Sequence, residues 1–364
     1  MEGRAISEVG AKRRRRLRVA VAVSAAILGA ALALAVLATR TVRSGASPSP
    51  AATTTVTATP SAAATSAALI RASAAQRKRW ARIGYDRSYK CDLVEKLTSA
   101  PDLVVLGGSR AQRFEPSVIT RLTGQSAFNF AVQNIRPADA YAISKYLFAR
   151  APATKLHCLF AIQATTLVDA PMDQALLYDK RLSQWFPKDL LASRKKAEGA
   201  VIARRVPSSA GSTYSGRGCI LSNGYDRRLA QGITLAASLQ TYLTRMVPRA
   251  AASSSAGESL SKFYFRKLLR LYNGHGVTPV IVIMPYHPEA LSAFRVVGWE
   301  KKLTGLKDYL SKLHGRYDFR VLDYTDIGSF GGKSRWFYDG AHITKENARL
   351  ILQKAVKSAP ECFR

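Results

Sequence analysis

The chain has 364 residues, of which 55 are Lys or Arg and 24 are Asp or Glu, so its formal net charge is +31. This length suits one large domain or two ordinary ones. Hydrophobic residues make up 47% of the sequence, enough for an apolar core, which excludes a wholly disordered basic protein. A charge of this sign suggests nucleic acid as a first partner. The sum alone, however, does not say in which compartment the charge lies.

The first 39 residues have the pattern of a membrane export signal. Six of the seven residues from Lys12 to Arg18 are basic, and the 21 residues from Val19 to Thr39 are uncharged and mostly Ala, Val and Leu. At a rise of about 1.5 Å per residue, such a segment spans a hydrocarbon core of roughly 30 Å. The positive-inside rule then predicts a cytoplasmic tail at 1–18, a transmembrane signal anchor at 19–39 and an extracytoplasmic remainder.

A cleaved signal peptide is the alternative to the anchor. Small residues offer cleavage sites ending at Ala35 and at Ala38, and cleavage would give a secreted protein. Residues 40–75 follow as a linker rich in Ser, Ala, Thr and Pro, with too little large apolar surface to fold. In both versions residues 76–364 form an extracytoplasmic domain.

The positive charge is divided between the export signal and the domain. Up to Arg43, nine basic and two acidic residues give +7; from Gln76 onward, 45 basic and 22 acidic residues give +23. Outside the cytoplasm the polyanions are lipid head groups, phosphate-containing wall polymers and acidic glycans. We therefore expect anionic membrane or wall polymers as partners, and not nucleic acid. Alternatively, the charge only provides solubility and loose attachment to an anionic envelope.

All the cysteines of the chain lie on the predicted exported side. They are Cys91, Cys158, Cys219 and Cys362. Their even number, without a Cys-x-x-Cys or Cys/His cluster, favours disulfides over a zinc site and leaves three pairings open. Cys158 stands in an apolar run, so a buried free thiol is the alternative there. Neither a metal nor a cofactor is expected.

Downstream of the linker, short apolar runs alternate with stretches of helical spacing. Strands are predicted at 102–107, 126–132, 157–162, 278–284 and 319–324, and helices at 110–123, 137–150, 259–272, 298–313 and 344–358. This alternation predicts an α/β fold, a three-layer αβα sandwich in which helices cover both faces of a parallel sheet. Ligands bind such a sheet at the carboxyl ends of its strands.

Residues 165–256 interrupt the alternation. The segment contains Trp185, Phe186 and Tyr214, a Gly/Ser-rich patch from Ser208 to Gly218, and many Arg and Lys residues. We interpret it as an insertion into the α/β domain that forms a lid or an accessory surface.

A serine stands where the first predicted strand meets a helix, in Gly107-Gly108-Ser109-Arg110. The free amides and the dipole of a helix start favour the negative charge of a carbonyl attacked by a serine at that position. The alternative is a serine that only caps the helix. Arg110 either binds an anionic substrate group or lies exposed on the first turn.

An Asp-x-x-His pair, Asp339-Gly340-Ala341-His342, stands between the last strand and the last helix. At this spacing a carboxylate can orient an imidazole whose other nitrogen faces a nucleophile. Taken alone, Asp339 could be a turn residue and His342 an exposed loop histidine. Because the ends of the first and last strands of a doubly wound sheet can meet at one rim, Ser109, Asp339 and His342 form a candidate triad.

These blocks resemble those of the SGNH/GDSL superfamily of esterases and acyltransferases. The segment 106–110 matches the first block and Asp339 to His342 the last, while 128–132 with 136–139 is similar to the second block of membrane-anchored relatives. Those relatives include alginate O-acetylation proteins and the teichoic-acid D-alanylation protein. The resemblance implies a flavodoxin-like parallel sheet with Ser109 as nucleophile, His342 as base and Asp339 as its orienting carboxylate.

The chain departs from the family pattern at the oxyanion hole. The second-block glycine, expected near Gln133 or Asn134, is absent, and Gln163-Ala164-Thr165-Thr166 replaces the third-block Gly-x-Asn-Asp. The hole would then use backbone amides of the first block together with side-chain amides from the other blocks. Oxyanion or substrate binding is therefore assigned to Gly108, Arg110, Asn129, Asn134 and Gln163.

The resemblance implies a membrane-anchored, extracytoplasmic serine esterase or O-acyltransferase that acts on acyl esters of cell-envelope glycans or lipids through an acyl-serine intermediate. A membrane protein is the candidate acyl donor. Hydrolysis and transfer stay open because both use the same acyl-enzyme. The alternative is an inactive protein of the same fold that binds anionic envelope polymers through its basic surface.

Overall fold

The computed structural model describes residues 85–152, 155–167, 179–186, 212–252 and 260–364. The predicted cytoplasmic tail, membrane anchor and linker, together 1–75, lie outside these residues, as does part of the predicted insertion. Within the described ranges, no helix is long and apolar enough to cross a membrane.

A parallel sheet of five strands lies at the centre of the described residues. In chain order the strands are β1 (Leu103–Gly107), β2 (Ala127–Asn129), β3 (His157–Ile162), β4 (Thr213–Tyr214), β5 (Ile220–Ser222), β6 (Val280–Ile283) and β7 (Arg320–Asp323). The central sheet has the order β2-β1-β3-β6-β7, and β4 pairs with β5 in a separate antiparallel hairpin. The order changes direction between β1 and β3, which places a ligand-binding crevice at their carboxyl ends.

Helices connect the strands and cover the sheet. They are α1 (Tyr85–Glu95), α2 (Pro116–Thr123), α3 (Pro137–Arg150), α4 (Lys180–Ser183), α5 (Gly224–Ala230), α6 (Leu235–Ala252), α7 (Leu260–Gly274), α8 (Pro288–Val296), α9 (Trp299–Leu313) and α10 (Lys345–Ser358). Short 3-10 turns lie at Ala111–Arg113, Ile327–Phe330, Ser334–Trp336 and Pro360–Phe363.

An apolar core lies on each face of the sheet. Successive side chains of a strand point to opposite faces, so Val104 and Leu106 of β1 pack with α3, α7 and α9. Leu103 and Val105 pack with α2 and α10 on the other face. The predicted α/β fold, with a parallel sheet flanked by helices, is therefore confirmed.

Some predicted boundaries were wrong. The helix expected from residue 110 begins at Pro116, after a 3-10 turn at Ala111–Arg113. Glu115 has extended backbone (φ −78°, ψ 118°) because a following proline disfavours the helical conformation. The strand expected at 126–132 ends at Asn129, and α8 was not among the predicted helices.

The described part of the insertion forms the β4–β5 hairpin, α5 and α6. The hairpin lies against the outer edge of the sheet, where the Asn129 amide of β2 donates to the Arg217 carbonyl at 2.9 Å. Gly218 in the hairpin turn has φ +80°, and a Cβ there would lie 2.3 Å from the Asn129 carbonyl oxygen. The close approach therefore requires glycine.

The predicted disulfides are absent, because all four cysteines are free and buried. Each lies on a different element: Cys91 in α1, Cys158 in β3, Cys219 beside β5 and Cys362 in the last 3-10 turn. Burial raises the pKa of Cys158 and of Cys219 to about 12, which keeps both thiols protonated. They act as small apolar side chains in the cores.

Candidate active site

Ser109, Asp339 and His342 meet at the carboxyl end of the sheet. Ser109 Oγ lies 2.9 Å from His342 Nε2, and His342 Nδ1 lies 2.9 Å from Asp339 Oδ2 and 3.0 Å from Oδ1. One ring nitrogen therefore faces the hydroxyl and the other faces the carboxylate. In this arrangement the imidazole can take the serine proton while the carboxylate stabilises the imidazolium.

The Asp339–His342 loop is folded around the Asp339 side chain. Asp339 Oδ1 accepts hydrogen bonds from the amides of Ala341 and His342, each at 2.8 Å. At Gly340 a Cβ would lie 2.2 Å from the Tyr242 ring, so a side chain at 340 would displace this tyrosine of α6. The short loop therefore fixes the relative positions of carboxylate and imidazole before any substrate binds.

His287 supports the same loop. Its amide donates to the Gly340 carbonyl at 3.0 Å, and its ring packs edge-on against Phe337, with centroids 5.5 Å apart. His287 is buried and its Nδ1 accepts from the Glu289 amide at the start of α8. It is a structural residue of the loop.

Asp339 is an ionised carboxylate beside the imidazole. Burial by itself would raise its pKa, but the charge of His342 and the hydrogen bonds from the imidazole and two amides hold the pKa well below its usual range. The side chain of Asp339 is 6% exposed and that of His342 is 19% exposed. The pair is thus shielded from most solvent, which strengthens the interaction between charges.

Tyr225 of α5 is a member of the site that the sequence patterns did not reveal. Its hydroxyl lies 2.8 Å from His342 Nδ1 and 3.3 Å from Nε2. Burial, the charge of Asp339 and a hydrogen bond to that carboxylate raise the pKa of Tyr225, so the phenol stays protonated. An Asn223–Asp226 capping box marks the start of α5 and could have predicted the helix, but no pattern marks the tyrosine.

Asp226 connects α5 to both segments that carry the candidate triad. Its carboxylate accepts from the Tyr338 hydroxyl at 2.6 Å and forms an ion pair with Arg113. Tyr338 immediately precedes Asp339, and Arg113 lies four residues after Ser109. Although burial opposes ionisation, the Tyr338 hydrogen bond and the Arg113 charge lower the pKa of Asp226. The insertion is therefore built into the site.

A small cavity of about 50 Å³ lies beside Ser109. Gly108, Arg110, Asn134 and Gln163 are among its lining residues. Asn134 has φ 51°, the left-handed conformation that glycine adopts most easily and asparagine tolerates. The family resemblance expects a glycine near Gln133 or Asn134, and Asn134 lines the cavity beside Ser109.

Asn129 does not line this cavity. Its side-chain amide donates to the carbonyls of Ala111 (2.9 Å) and Phe114 (2.8 Å), and its Oδ1 accepts from the Ala131 amide (2.9 Å). The residue is fully buried. Asn129 therefore holds the turn that follows Ser109, and Asn134 and Gln163 are the amide-bearing residues that line the cavity beside Ser109.

Arg110 is 9% exposed, unlike the exposed first-turn arginine of the alternative prediction. Its guanidinium lies over the Tyr286 ring, 3.9 Å from the centroid, and donates to the Pro285 carbonyl at 3.4 Å. Arg110 lines the cavity at Ser109 while it holds the segment that leads to His287.

Comparison with known proteins adds no assignment. No family model matches the chain. No curated protein matches it either. Within the described ranges, no group of three or more His, Cys, Asp or Glu side chains could hold a metal ion.

Proposed function

We propose that the protein is an SGNH-like serine esterase or O-acyltransferase that acts on acyl esters of cell-envelope glycans or lipids. The observation that supports this most directly is the chain of two 2.9 Å hydrogen bonds from Ser109 through His342 to Asp339. Its position after β1, with the cavity and side-chain amides next to the hydroxyl, suits acyl transfer.

In the proposed mechanism, Ser109 Oγ attacks the acyl carbonyl while His342 Nε2 takes the hydroxyl proton. Asp339 stabilises the imidazolium that results. The tetrahedral oxyanion receives hydrogen bonds from first-block amides and from the carboxamides of Asn134 and Gln163. The imidazolium then protonates the departing alcohol, which leaves an acyl group on Ser109.

The acceptor decides the outcome of the second step. Water, activated by His342, returns the free carboxylic acid, whereas a sugar hydroxyl in the same place takes the acyl group as a new ester. A transferase also needs an acyl donor, for which a membrane protein is the proposed source. The predicted export signal at 1–39 supports a membrane-anchored, extracytoplasmic enzyme.

Substitution of the proposed nucleophile and base tests the mechanism. In full-length protein in detergent, Ser109→Ala and His342→Ala should each reduce acetyl-ester turnover by about 10³-fold or more. A serine-directed fluorophosphonate should label the wild type and not Ser109→Ala. Ser117→Ala, at an exposed serine of α2, is the matched control. If Ser109→Ala were labelled to the wild-type level, Ser109 would not be the nucleophile.

The second candidate is an inactive protein of this fold that binds anionic envelope polymers. The net charge of +23 from Gln76 onward supports it. Salt-sensitive binding of teichoic acid, equal in wild type and Ser109→Ala, together with no ester turnover in either, is the result expected from this candidate.

A further inference from the structure

The loop from Gln163 to Leu167 lines two cavities. Gln163 and Thr166 line the small cavity at Ser109, whereas Ala164 and Leu167 line a larger one of about 560 Å³. Gln163 and Ala164 are neighbours in the chain, as are Thr166 and Leu167, so the two cavities adjoin the same short loop. The larger cavity therefore neighbours the site at Ser109.

Three lysines stand among the described residues that line the larger cavity. Lys262 of α7 and Lys301 and Lys302 of α9 line it, and none of its described lining residues is Asp or Glu. Lys302 Nζ donates to the Ala250 carbonyl of α6, which places this charge at the wall. Lysines converging on one concave surface create a positive potential that attracts and retains an anion.

Gly305 leaves the cavity open on the α9 side. A glycine in the middle of a helix is less favourable than alanine, so its presence needs a reason. Its φ is not left-handed, and a Cβ built there meets no atom within 4 Å. Neither backbone conformation nor close packing requires glycine here. Because Gly305 has no side chain, it leaves space in the cavity beside Lys301 and Lys302.

We propose that this lysine-lined cavity binds an anionic group, a phosphate or a carboxylate, of the ester that Ser109 attacks. The proposal rests on the proposed function and narrows its substrate class to anionic acyl esters. Lysine ammonium groups act as point charges, so both anions suit the cavity, and the experiment distinguishes them.

Three acetyl esters of similar sugars test the proposal: acetylated glucose, acetylated glucose phosphate and acetylated glucuronate. Full-length wild type should have a kcat/KM for at least one anionic ester about tenfold above that for the neutral ester, and salt should reduce the ratio. In the double variant Lys262→Gln and Lys301→Gln, kcat/KM for the anionic ester should exceed that for the neutral ester by no more than about threefold. Lys312→Gln, at an exposed lysine in the last turn of α9, is the matched control and should leave the preference for the anionic ester unchanged.

Filling the cavity tests the same site without changing charge. Gly305→Leu should reduce kcat/KM for the preferred anionic ester about tenfold, because the new side chain occupies the space beside the lysines. Gly305→Ala adds only one methyl group, so its effect should be smaller, below about threefold. Equal effects of the two substitutions would contradict cavity filling and overturn the proposal.

Binding separates the cavity from the chemistry. Calorimetry should show acetylated glucose phosphate and acetylated glucuronate binding to Ser109→Ala. Adding Lys262→Gln and Lys301→Gln should weaken the affinity for at least one of them about tenfold or more. Equal turnover of all three esters by wild type, or binding that is independent of Lys262 and Lys301, would overturn the proposal and leave the triad intact. Lysine-dependent binding by a wild type that turns over no ester would support the anion site and overturn the proposed function.

Discussion

At the residue scale, the imidazole of His342 has two partners at the same nitrogen. Asp339 Oδ2 lies 2.9 Å and the Tyr225 hydroxyl 2.8 Å from Nδ1. The single proton on Nδ1 suits Asp339, and the phenol, whose pKa is raised by burial and by the charge of Asp339, stays protonated beside the imidazole. Tyr225 therefore acts through Asp339 and His342, as a positioning residue.

Removing this hydroxyl gives a prediction. Tyr225→Phe keeps the ring that stacks on Tyr338 and removes one hydrogen bond, worth about 1–1.5 kcal/mol. We expect kcat for an acetyl ester to fall about tenfold, with KM within about twofold, because Tyr225 is not among the residues that line the cavity at Ser109. Tyr317→Phe, after α9, is the control. An unchanged kcat in Tyr225→Phe would exclude a positioning role.

At the element scale, the hairpin and helices of the insertion complete the site. α5 supplies Tyr225, α6 supplies the Tyr242 ring that packs on Gly340, and Asp226 ties α5 to Arg113. The hairpin that precedes α5 is held at the edge of β2 through Gly218. The insertion is thus more than a lid over a finished site, because it contacts His342 and also Arg113, which lies four residues after Ser109.

Gly218 tests the attachment of the insertion. Gly218→Ala places a methyl group against the Asn129 carbonyl and the Phe128 ring at a left-handed φ, so the free energy of unfolding should fall by about 3 kcal/mol. Activity should fall as well, because the displaced hairpin leads to Tyr225. Gly216→Ala meets no atom within 4 Å and has an ordinary φ, so its unfolding free energy should change by less than about 0.5 kcal/mol. Equal effects in urea unfolding would contradict this attachment.

At the scale of the whole molecule, buried basic side chains fix α1 to α3 and to the end of β2. Arg87 is 1% exposed and Lys90 is 0% exposed. Arg87 Nε donates to Asp139 of α3 at 2.8 Å, and Lys90 Nζ donates to the carbonyls of Asn129 (2.9 Å) and Ala131 (2.5 Å). The segment that continues β2 towards the active-site cavity is therefore held by a lysine from another element.

Lys90 also predicts how stability depends on pH. Burial lowers its pKa from 10.5 to about 7, so between these values the unfolded chain binds more protons and the free energy of unfolding rises with pH. The slope is at most about 1.4 kcal/mol per pH unit. The buried cysteines act in the opposite direction above about pH 9, because their pKa values are raised.

Comparing wild type with Lys90→Met isolates this contribution. Urea unfolding between pH 7 and pH 9 should show the free energy of unfolding rising more steeply with pH in the wild type than in the variant. The two slopes should differ by roughly 1 kcal/mol per pH unit. Equal slopes would mean that Lys90 remains charged in the folded protein throughout this range.

Local patterns in the sequence determined the fold class and the positions of Ser109, Asp339 and His342. Apolar runs and helical spacing are properties of neighbouring residues, so they predicted the parallel sheet and its flanking helices. Ser109 closely follows the first strand and the Asp339–His342 pair stands between the last strand and the last helix, and the carboxyl ends of parallel strands share one rim. The family resemblance and the membrane anchor stay predictions.

Only the tertiary structure decided which distant side chains meet. It placed Tyr225 on the imidazole, used the Asn129 amide within a turn and left the cysteines apart on four elements. It also gathered lysines of α7 and α9 beside the loop from Gln163 to Leu167, which lines the cavity at Ser109. Such contacts depend on how elements far apart in the chain pack, and hydrophobic periodicity records only which face of each element is buried.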